Sequence, residues 1–196
     1  MAARKAQFSR DEIIETAFEM VRQEGWQGLS VPAVAKAINA STMPIYSHFK
    51  NVGELQDAVY LRAMDYLLEF MSVERSGDKW LDHALSYLKF ASEEGNLFRC
   101  IFDGRNSELQ AKSLQRWRDA TAAQLLDYPL FAGLSAEQVQ LIRYSRFMLI
   151  HGMATGIVNG WQYVEDWEAK ESFLRKTSLA LFKGLMMQFE EENRIK

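Results

Sequence analysis

The sequence predicts an all-α protein. Breakers are few, since the 196 residues include three prolines and eleven glycines. The stretches between them are rich in Ala, Leu, Glu, Lys, Met and Gln, which are good helix formers. A serine or asparagine followed three residues later by glutamate or glutamine recurs along the chain, a pattern typical of helix starts.

The first predicted helix starts at Ser9, which forms a capping box with Glu12. Apolar residues then recur at helical spacing and give the helix one apolar face. We expect the helix to end near Glu24, because Gly25 and Gly28 follow it.

Two short helices are expected next. Ser30 is the N-cap of the second helix, with Pro32 in its first turn, where a missing amide costs little. This helix ends at Asn39, a residue type that tolerates the left-handed conformation of a tight turn. Ser41 is expected to cap a third helix that runs to about Phe49. This order of short helices and a three-residue turn is the helix-turn-helix plan.

The third helix has two distinct faces. Ile45 and Phe49 are expected to point to the core. The opposite face, at helical spacing, consists of Met43, Tyr46, Ser47 and Lys50. Such a polar and cationic face suits the major groove of DNA. The spacing alone leaves open a solvated face on an ordinary helical hairpin.

A fourth helix is expected from Leu55 to about Met71, since Asn51 and Glu54 form another start signal. The run from 29 to 49 (LSVPAVAKAINASTMPIYSHF), its motif Ile-Tyr-x-His-Phe at 45–49 and the following Asn51 to Leu55 resemble the DNA-binding head of TetR-family repressors. The resemblance covers about residues 8–60.

The resemblance implies a homodimer with two N-terminal helix-turn-helix heads and an all-α C-terminal bundle body. The body would hold an effector pocket and build the dimer interface. We therefore expect a DNA-binding domain at residues 1–52 and an effector-binding and dimerisation domain at 53–196. The charge distribution agrees with DNA contact at one end of the molecule only. Residues 1–52 carry six basic and five acidic side chains, whereas the remainder carries 17 basic and 21 acidic side chains.

The resemblance also implies roles for individual residues of the head. The residues expected to approach base edges are Thr42, Met43 and Ser47. Those expected to approach the phosphate backbone are Lys36, Tyr46, His48 and Lys50. Arg4 and Lys5 would either form a minor-groove arm or belong to a frayed terminus.

The head departs from the family pattern at several positions. Asn39 replaces the usual turn glycine, which is physically compatible. Pro44 replaces a threonine, Val52 replaces a lysine and Gly53 replaces an acidic residue. Phosphate contacts are therefore missing, and we expect weaker electrostatic affinity for DNA than is typical of the family.

The body is expected to consist of further helices. After 76–78 a helix begins that Gly95 and Asn96 end, and a short apolar segment follows at 97–102. The remaining predicted elements are a helix at about 107–126, a helix that Ser135 caps and that runs to about Gly160, and a last helix from about Glu165 to Glu192.

A stripe of glycines on the penultimate helix predicts a close helix approach, because each glycine costs a helix roughly 1 kcal/mol. We place this stripe at the dimer interface, together with one face of the last helix. The expected interface residues are Gly152, Gly156, Gly160, Leu181 and Leu185. The alternative for the stripe is close packing within one subunit.

An effector pocket between bundle helices would be apolar with few polar groups. The expected ligand-binding residues are Tyr87, Trp117, Phe147, Met148 and His151. His151 has the alternative of a hydrogen-bonded core or interface position. The three histidines and the single Cys100 are too scattered for a metal site, and we expect no cofactor.

The expected function is a sequence-specific transcriptional regulator, a repressor that a small, largely apolar ligand releases from operator DNA. The alternative is a DNA-binding regulator controlled by a protein partner or without an effector. We expect no enzyme, because no nucleophile with a base and no phosphate-cradling loop is readable. The sequence has no long uncharged apolar run and no basic-then-apolar start, so a cytoplasmic protein without a membrane partner is expected.

Overall fold

The computed structural model describes residues 8–74, 76–102, 107–123, 128–161 and 166–195. All regular secondary structure in these ranges is helical, which confirms the predicted all-α class. The α-helices are α1 (Arg10–Glu24), α2 (Val31–Ala37), α3 (Met43–Tyr46), α4 (Val52–Met71), α5 (Lys79–Glu93), α6 (Gly95–Phe102), α7 (Ser107–Ala123), α8 (Ala136–Val158) and α9 (Trp167–Ile195). Short 3-10 turns lie at Trp26–Gly28 and Pro129–Phe131.

The chain forms two compact units. The first comprises residues 1–70 and 94–120, and the second comprises 71–93 and 121–196. The first unit therefore contains α6 and most of α7 in addition to the predicted head. Within the described ranges, no helix is both long enough and apolar enough to cross a membrane.

The capping box at the start of α1 is present as predicted. The Ser9 amide donates to the Glu12 carboxylate over 2.7 Å, and the Glu12 amide donates to Ser9 Oγ over 3.2 Å. The apolar face that follows is buried and consists of Ile13, Ile14, Ala17, Phe18 and Val21. This face packs α1 against α2 and α6 within the first unit.

The turn after α2 also forms as predicted. Asn39 has a φ of 53°, in the left-handed region. The Asn39 amide donates to the Lys36 carbonyl over 3.1 Å and the Ala40 amide donates to the Ala35 carbonyl over 2.9 Å. These two bonds form a Schellman motif, so asparagine ends this helix where a glycine would be the commoner choice.

The start of α3 differs from the prediction by one residue. Thr42, not Ser41, is the N-cap. The Schellman motif extends to Ala40, so Ser41 serves as the connection, and the first carbonyl to accept a helical bond is that of Thr42. The helix itself ends at Tyr46, but the Phe49 amide still donates to the Ile45 carbonyl over 3.0 Å.

The second unit is built around α8, which packs against both α5 and α9. Ser135 and Gln138 form the capping box that the sequence predicts for α8. A core cluster of Phe131, Ile142 and Phe189 joins α8 to α9 and to the loop that precedes α8.

The end of α8 corrects the prediction for Gly160. The helix ends at Val158, and Gly160 has a φ of 71° beyond it. The Trp161 amide donates to the Gly156 carbonyl over 2.8 Å, and the Gly160 amide donates to the Ile157 carbonyl over 3.2 Å. Gly160 therefore terminates the helix in a Schellman motif and does not extend the helical stripe of Gly152 and Gly156.

Candidate functional site

The recognition face of α3 is exposed while its opposite face is anchored in the core. Ile45 is fully buried and Phe49 is 2% exposed. Met43 is 74% exposed and Tyr46 is 52% exposed. Ser47 and Lys50, the other members of the predicted outer face, are exposed as well. The predicted orientation of this helix is confirmed.

The polar groups near α3 differ in exposure and in which hydrogen-bond donors and acceptors are still available to a partner. Ser47 Oγ donates its hydrogen to the Pro44 carbonyl over 2.6 Å, so its oxygen remains available as an acceptor. Thr42 is half-buried at the start of the helix, and Lys36 is exposed on α2.

The start of α4 lies directly after Lys50. The Glu54 amide donates to Asn51 Oδ1 over 3.0 Å, which caps the helix as predicted. Lys50 Nζ lies 3.6 Å from Glu54 Oε1, and the Lys50 side chain is 89% exposed. A pair this exposed is worth at most about 1 kcal/mol, so the ammonium group can exchange this carboxylate for a phosphate.

His48 is tied to the N-terminal segment. Its Nε2 lies 3.0 Å from the Phe8 carbonyl oxygen. A carbonyl oxygen only accepts, so Nε2 carries the hydrogen and Nδ1 is the nitrogen left for another partner. The Arg10 guanidinium lies 5.0 Å from the centre of the Phe49 ring, which also fastens α1 to the end of the helix-turn-helix. The predicted arm residues Arg4 and Lys5 lie outside the described residues.

An ion pair that the sequence did not reveal braces the far end of α1. Arg22 Nε donates to Glu94 Oε2 over 2.8 Å and to Oε1 over 3.1 Å. The Tyr66 hydroxyl of α4 donates to the same carboxylate over 3.3 Å. Glu94 is 8% exposed, and its hydrogen bonds to Arg22 raise the pKa of that guanidinium. Three segments of the first unit therefore meet at one buried carboxylate.

Asn96 completes this attachment. Its Nδ2 donates to the Arg22 carbonyl over 3.1 Å and to the Gln23 carbonyl over 3.0 Å. These carbonyls belong to the last turn of α1, where no intrahelical donor is available. The sequence predicts Asn96 only as a helix breaker, because a contact across more than 70 residues leaves no local signal.

Three of the five predicted ligand-binding residues lie together in the second unit. The Tyr87 hydroxyl lies 2.8 Å from His151 Nδ1. The Phe147 ring stacks on the His151 ring at 5.4 Å and meets the Tyr87 ring edge-on at 6.0 Å. Burial raises the pKa of Tyr87 well above 10.0 and lowers the pKa of His151 below 6.5. At neutral pH this group is therefore an uncharged, largely apolar cluster.

The other two predicted ligand-binding residues lie elsewhere. Met148 follows Phe147 on α8 but is 43% exposed. Trp117 belongs to α7 in the first unit, where it is 6% exposed.

The predicted interface residues also separate into two groups. A Cβ at Gly152 or Gly156 would meet no described atom within 4 Å, so these two glycines make no close packing contact within the part of the chain that the structure describes. Leu181 is half-buried, and Leu185 packs against the core cluster of Phe131, Ile142 and Phe189.

Comparison with known proteins gives a family match in the head. Residues 13–59 match the family described as bacterial regulatory proteins of the tetR family. An HTH-type transcriptional regulator from Staphylococcus aureus is 24% identical over 159 residues, covering 78% of this chain and 81% of that protein. An uncharacterised HTH-type transcriptional regulator from Mycobacterium tuberculosis is 30% identical over 70 residues, and this match spans 36% of the chain and only 32% of that relative.

Solved structures agree over the whole length. A tetR-family transcriptional regulator from Streptomyces coelicolor superimposes with a TM-score of 0.74 at 20% identity, covering 99% of this chain and 87% of the other. A TetR-family protein from Vibrio parahaemolyticus gives a TM-score of 0.62 at 19% identity, covering 86% and 96%. These likenesses establish the fold, and the head carries the family match. Residues 13–59 therefore match the TetR family of bacterial regulatory proteins by sequence, and the chain shares the fold of TetR-family transcriptional regulators.

Proposed function

We propose that this regulator is a homodimeric repressor that binds operator DNA through α2 and α3 and leaves it when a small, largely apolar ligand binds. The observation that carries the DNA-binding part is the exposed face of α3. Two large side chains, Met43 and Tyr46, extend into solvent from a helix whose other side is fixed by Ile45 and Phe49. Exposing this apolar surface to water does not stabilise the free protein, whereas the major groove of DNA would cover it.

The chemistry of this face assigns the roles within it. Residues 41–50 contain no acidic side chain, so phosphates can approach this segment without repulsion from it. Met43 offers an apolar surface for a thymine methyl group. Ser47 has an oxygen lone pair to offer, because its hydrogen is already donated to Pro44. Ser47 would therefore accept from a base amino group, adenine N6 or cytosine N4.

The test of DNA binding is selection of binding sites from random duplexes, followed by fluorescence anisotropy with the selected site and a scrambled site. We expect a two-fold symmetric site whose half-sites are about one helical turn, 34–36 Å, apart. Equal affinity for the two duplexes at every salt concentration would contradict the proposal.

Charge changes at two neighbouring positions should alter the salt dependence in opposite directions. Lys50→Ala should remove one phosphate contact per head and lower the slope of log affinity against log salt by about 0.9 per head. Val52 is 41% exposed at the first position of α4, so Val52→Lys should add a cation there without disturbing the core. Its slope should rise by about 0.9 per head, with little change in the preference for the selected site.

Melting curves serve as the control for both variants. A lysine at the N-terminus of α4 opposes the helix dipole and costs about 0.3–1 kcal/mol, so a small loss of stability is expected. If Val52→Lys folds but binds no more tightly at low salt, the DNA backbone does not pass this position. If Lys50→Ala leaves the slope unchanged, Lys50 does not contact a phosphate.

The dimer proposal rests on outward apolar stripes of α8 and α9. On α8, Leu141, Tyr144 and Met148 are exposed at 45%, 55% and 43%, and Gly152 continues their spacing. On α9, Phe173 and Met187 are 45% and 63% exposed, and the small residues between them on this face are Ala180 and Gly184. Two adjacent helices with such stripes suit a four-helix interface between two copies of the chain. Met148 fits this role better than ligand binding, and it replaces Leu185 as the residue to test.

Met148→Glu should therefore weaken association, because it places a charge in an apolar interface. The control is Leu130→Glu, since Leu130 is 48% exposed in the same unit but lies off both stripes. Light scattering across a dilution series should give the mass of two subunits for the parent and for Leu130→Glu. On dilution, Met148→Glu should dissociate into single subunits at a protein concentration at which the parent is still a dimer. A parent protein with the mass of one subunit at micromolar concentration would refute the dimer, and an unaffected Met148→Glu would refute this face.

Release from DNA follows from differential binding. A ligand shifts a regulator off its operator only if it binds the DNA-incompetent state more tightly. The Tyr87, Phe147 and His151 cluster supports an apolar ligand environment in the second unit. A screen of DNA binding by anisotropy against small apolar compounds tests this part, and absence of any responsive compound would favour control by a protein partner.

A further inference from the structure

The second unit contains a buried cation that the proposed function has not used. Arg146 lies on the inward stripe of α8, which runs through Ile142, Arg146, Ile150 and Ala154 at intervals of four residues. Arg146 is 6% exposed, as buried as its apolar neighbours on this stripe. Arginine is almost never this buried unless it is paired, so its surroundings need an explanation.

The guanidinium lies over an aromatic ring that belongs to a group of three. Its central carbon lies 3.8 Å from the centre of the Trp80 ring, and Nη2 donates to the Trp80 carbonyl over 2.6 Å. Trp80 stacks on Tyr128 at 5.8 Å, and both rings meet Phe131 edge-on at 5.2 and 5.5 Å. The cation therefore lies against a flat apolar wall built from α5 and the loop before α8.

The charge of Arg146 is not matched by a direct ion pair. No carboxylate of the described residues lies within 4.0 Å of it, and its buried Nε has no hydrogen-bond acceptor. The Asp78 carboxylate attracts the guanidinium electrostatically but is not in hydrogen-bond contact with it. Asp78 instead accepts from the Tyr128 hydroxyl and from the Trp80 amide at the start of α5. Burial lowers the pKa of Arg146 to about 9. A buried donor left without an acceptor is a cost to the folded protein.

We propose that Arg146 recognises the carboxylate of the effector, and that the effector is an aromatic monocarboxylic acid. This inference rests on the proposed control by a small ligand and names the chemical class of that ligand. A carboxylate oxygen would accept a hydrogen bond from Nε and neutralise the guanidinium. One contact would therefore supply both the missing hydrogen-bond acceptor and the missing counter-charge. The flat body of the acid would pack against Trp80, Tyr128 and Phe131.

The charge balance favours a monoanion over a phosphate. One guanidinium neutralises one negative charge, and a phosphate monoester would bring close to two into the same apolar surroundings. The second charge would need a second cation, and of the described basic side chains only Arg146 lies over one of the three rings of this wall. A weakly hydrated aromatic carboxylate costs less to bury than a phosphate group.

Matched ligand pairs test the proposal without any mutation. Calorimetry with 1-naphthoate and 1-naphthamide, and with indole-3-acetate and indole-3-acetamide, compares compounds that differ in the carboxylate. We expect the acids to bind at least about 10-fold more tightly than the amides, the equivalent of one charged hydrogen bond. Anisotropy with the selected operator should show release by the acids at the concentrations at which they bind.

Two variants then locate the contact. Arg146→Met should lose about 10–100-fold in affinity for the acids and leave the amides unchanged. Its melting temperature without ligand should equal or exceed that of the parent, because an apolar chain of similar volume replaces a cation without an ion pair. The matched control is Arg175→Met, since Arg175 is exposed on α9 and pairs with Glu171.

The outcomes separate this inference from the proposed function. Two results together would overturn the inference: Arg146→Met melts far below the parent, and the parent binds acids and amides equally. Arg146 would then only stabilise the fold. Release of DNA by neutral apolar compounds, unaffected by Arg146→Met, would overturn it too but leave the ligand-controlled repressor standing. Failure to bind any DNA duplex selectively would instead overturn the proposed function.

Discussion

Ile45→Ala should lower the stability of the first unit by about 2–5 kcal/mol, the usual cost of removing three methyl or methylene carbons from a packed core. Ile45 has no exposed surface. It stands in the middle of a helix that has only one regular turn, Met43–Tyr46. Such a helix has almost no stability of its own and depends on this anchor. DNA binding should be lost with the fold of the helix-turn-helix.

Met43→Ala is the matched control on the same turn. Met43 is 74% exposed, so the variant should melt within about 0.5 kcal/mol of the parent. Its affinity for the selected site should nevertheless fall, with little change in affinity for a scrambled duplex. Thermal melting and anisotropy on both variants distinguish the inner from the outer face of α3. Equal melting temperatures for Ile45→Ala and the parent would show that α3 is not anchored as described.

Local signals predicted the head well because its elements are defined by residues close in sequence. The Ser9–Glu12 capping box and the Asn39 turn each depend on bonds within five residues. The one-residue error at Ser41 has the same scale. Its neighbour Thr42 is also of a residue type common at N-caps, and the length of the preceding Schellman motif places the start of the helix after Thr42.

Long-range partners were invisible for the opposite reason. Arg146 has a signal in the sequence, a cation at the four-residue spacing of Ile142, Ile150 and Ala154, but that signal does not say what surrounds it. The glycine stripe illustrates the same limit. The spacing of Gly160 fits the stripe, whereas its backbone conformation places it in the turn that ends α8. Periodicity reports which face a residue occupies, provided that the helix extends that far.

Glu94→Ala should destabilise the first unit by about 1–3 kcal/mol. Removing one partner of a fully buried pair costs more, about 3–5 kcal/mol. The Arg22 side chain is 37% exposed, however, so water can take over part of its solvation. Glu94 also accepts from the Tyr66 hydroxyl, and the variant removes this hydrogen bond at the same time.

Glu19→Ala is the matched control, because Glu19 also contacts Arg22, over 3.4 Å, but at the surface. It should change stability by no more than about 0.5 kcal/mol. Denaturant unfolding of Glu94→Ala, Arg22→Ala and the double variant should give a coupling energy of about 1–3 kcal/mol. Additive single effects would show that the pair contributes no interaction of its own.

The effect on DNA binding should exceed what the loss of stability alone explains. The pair and Asn96 hold the last turn of α1, and Arg10 and His48 fasten its first turn to the helix-turn-helix. Loosening one end of α1 should therefore broaden the orientation of α3 and weaken site-specific binding at temperatures where the protein is still folded. Nonspecific binding depends on charge and tolerates such motion, so it should fall less. An unchanged ratio of specific to nonspecific affinity in folded Glu94→Ala would mean that this ion pair stabilises the unit without positioning the recognition helix.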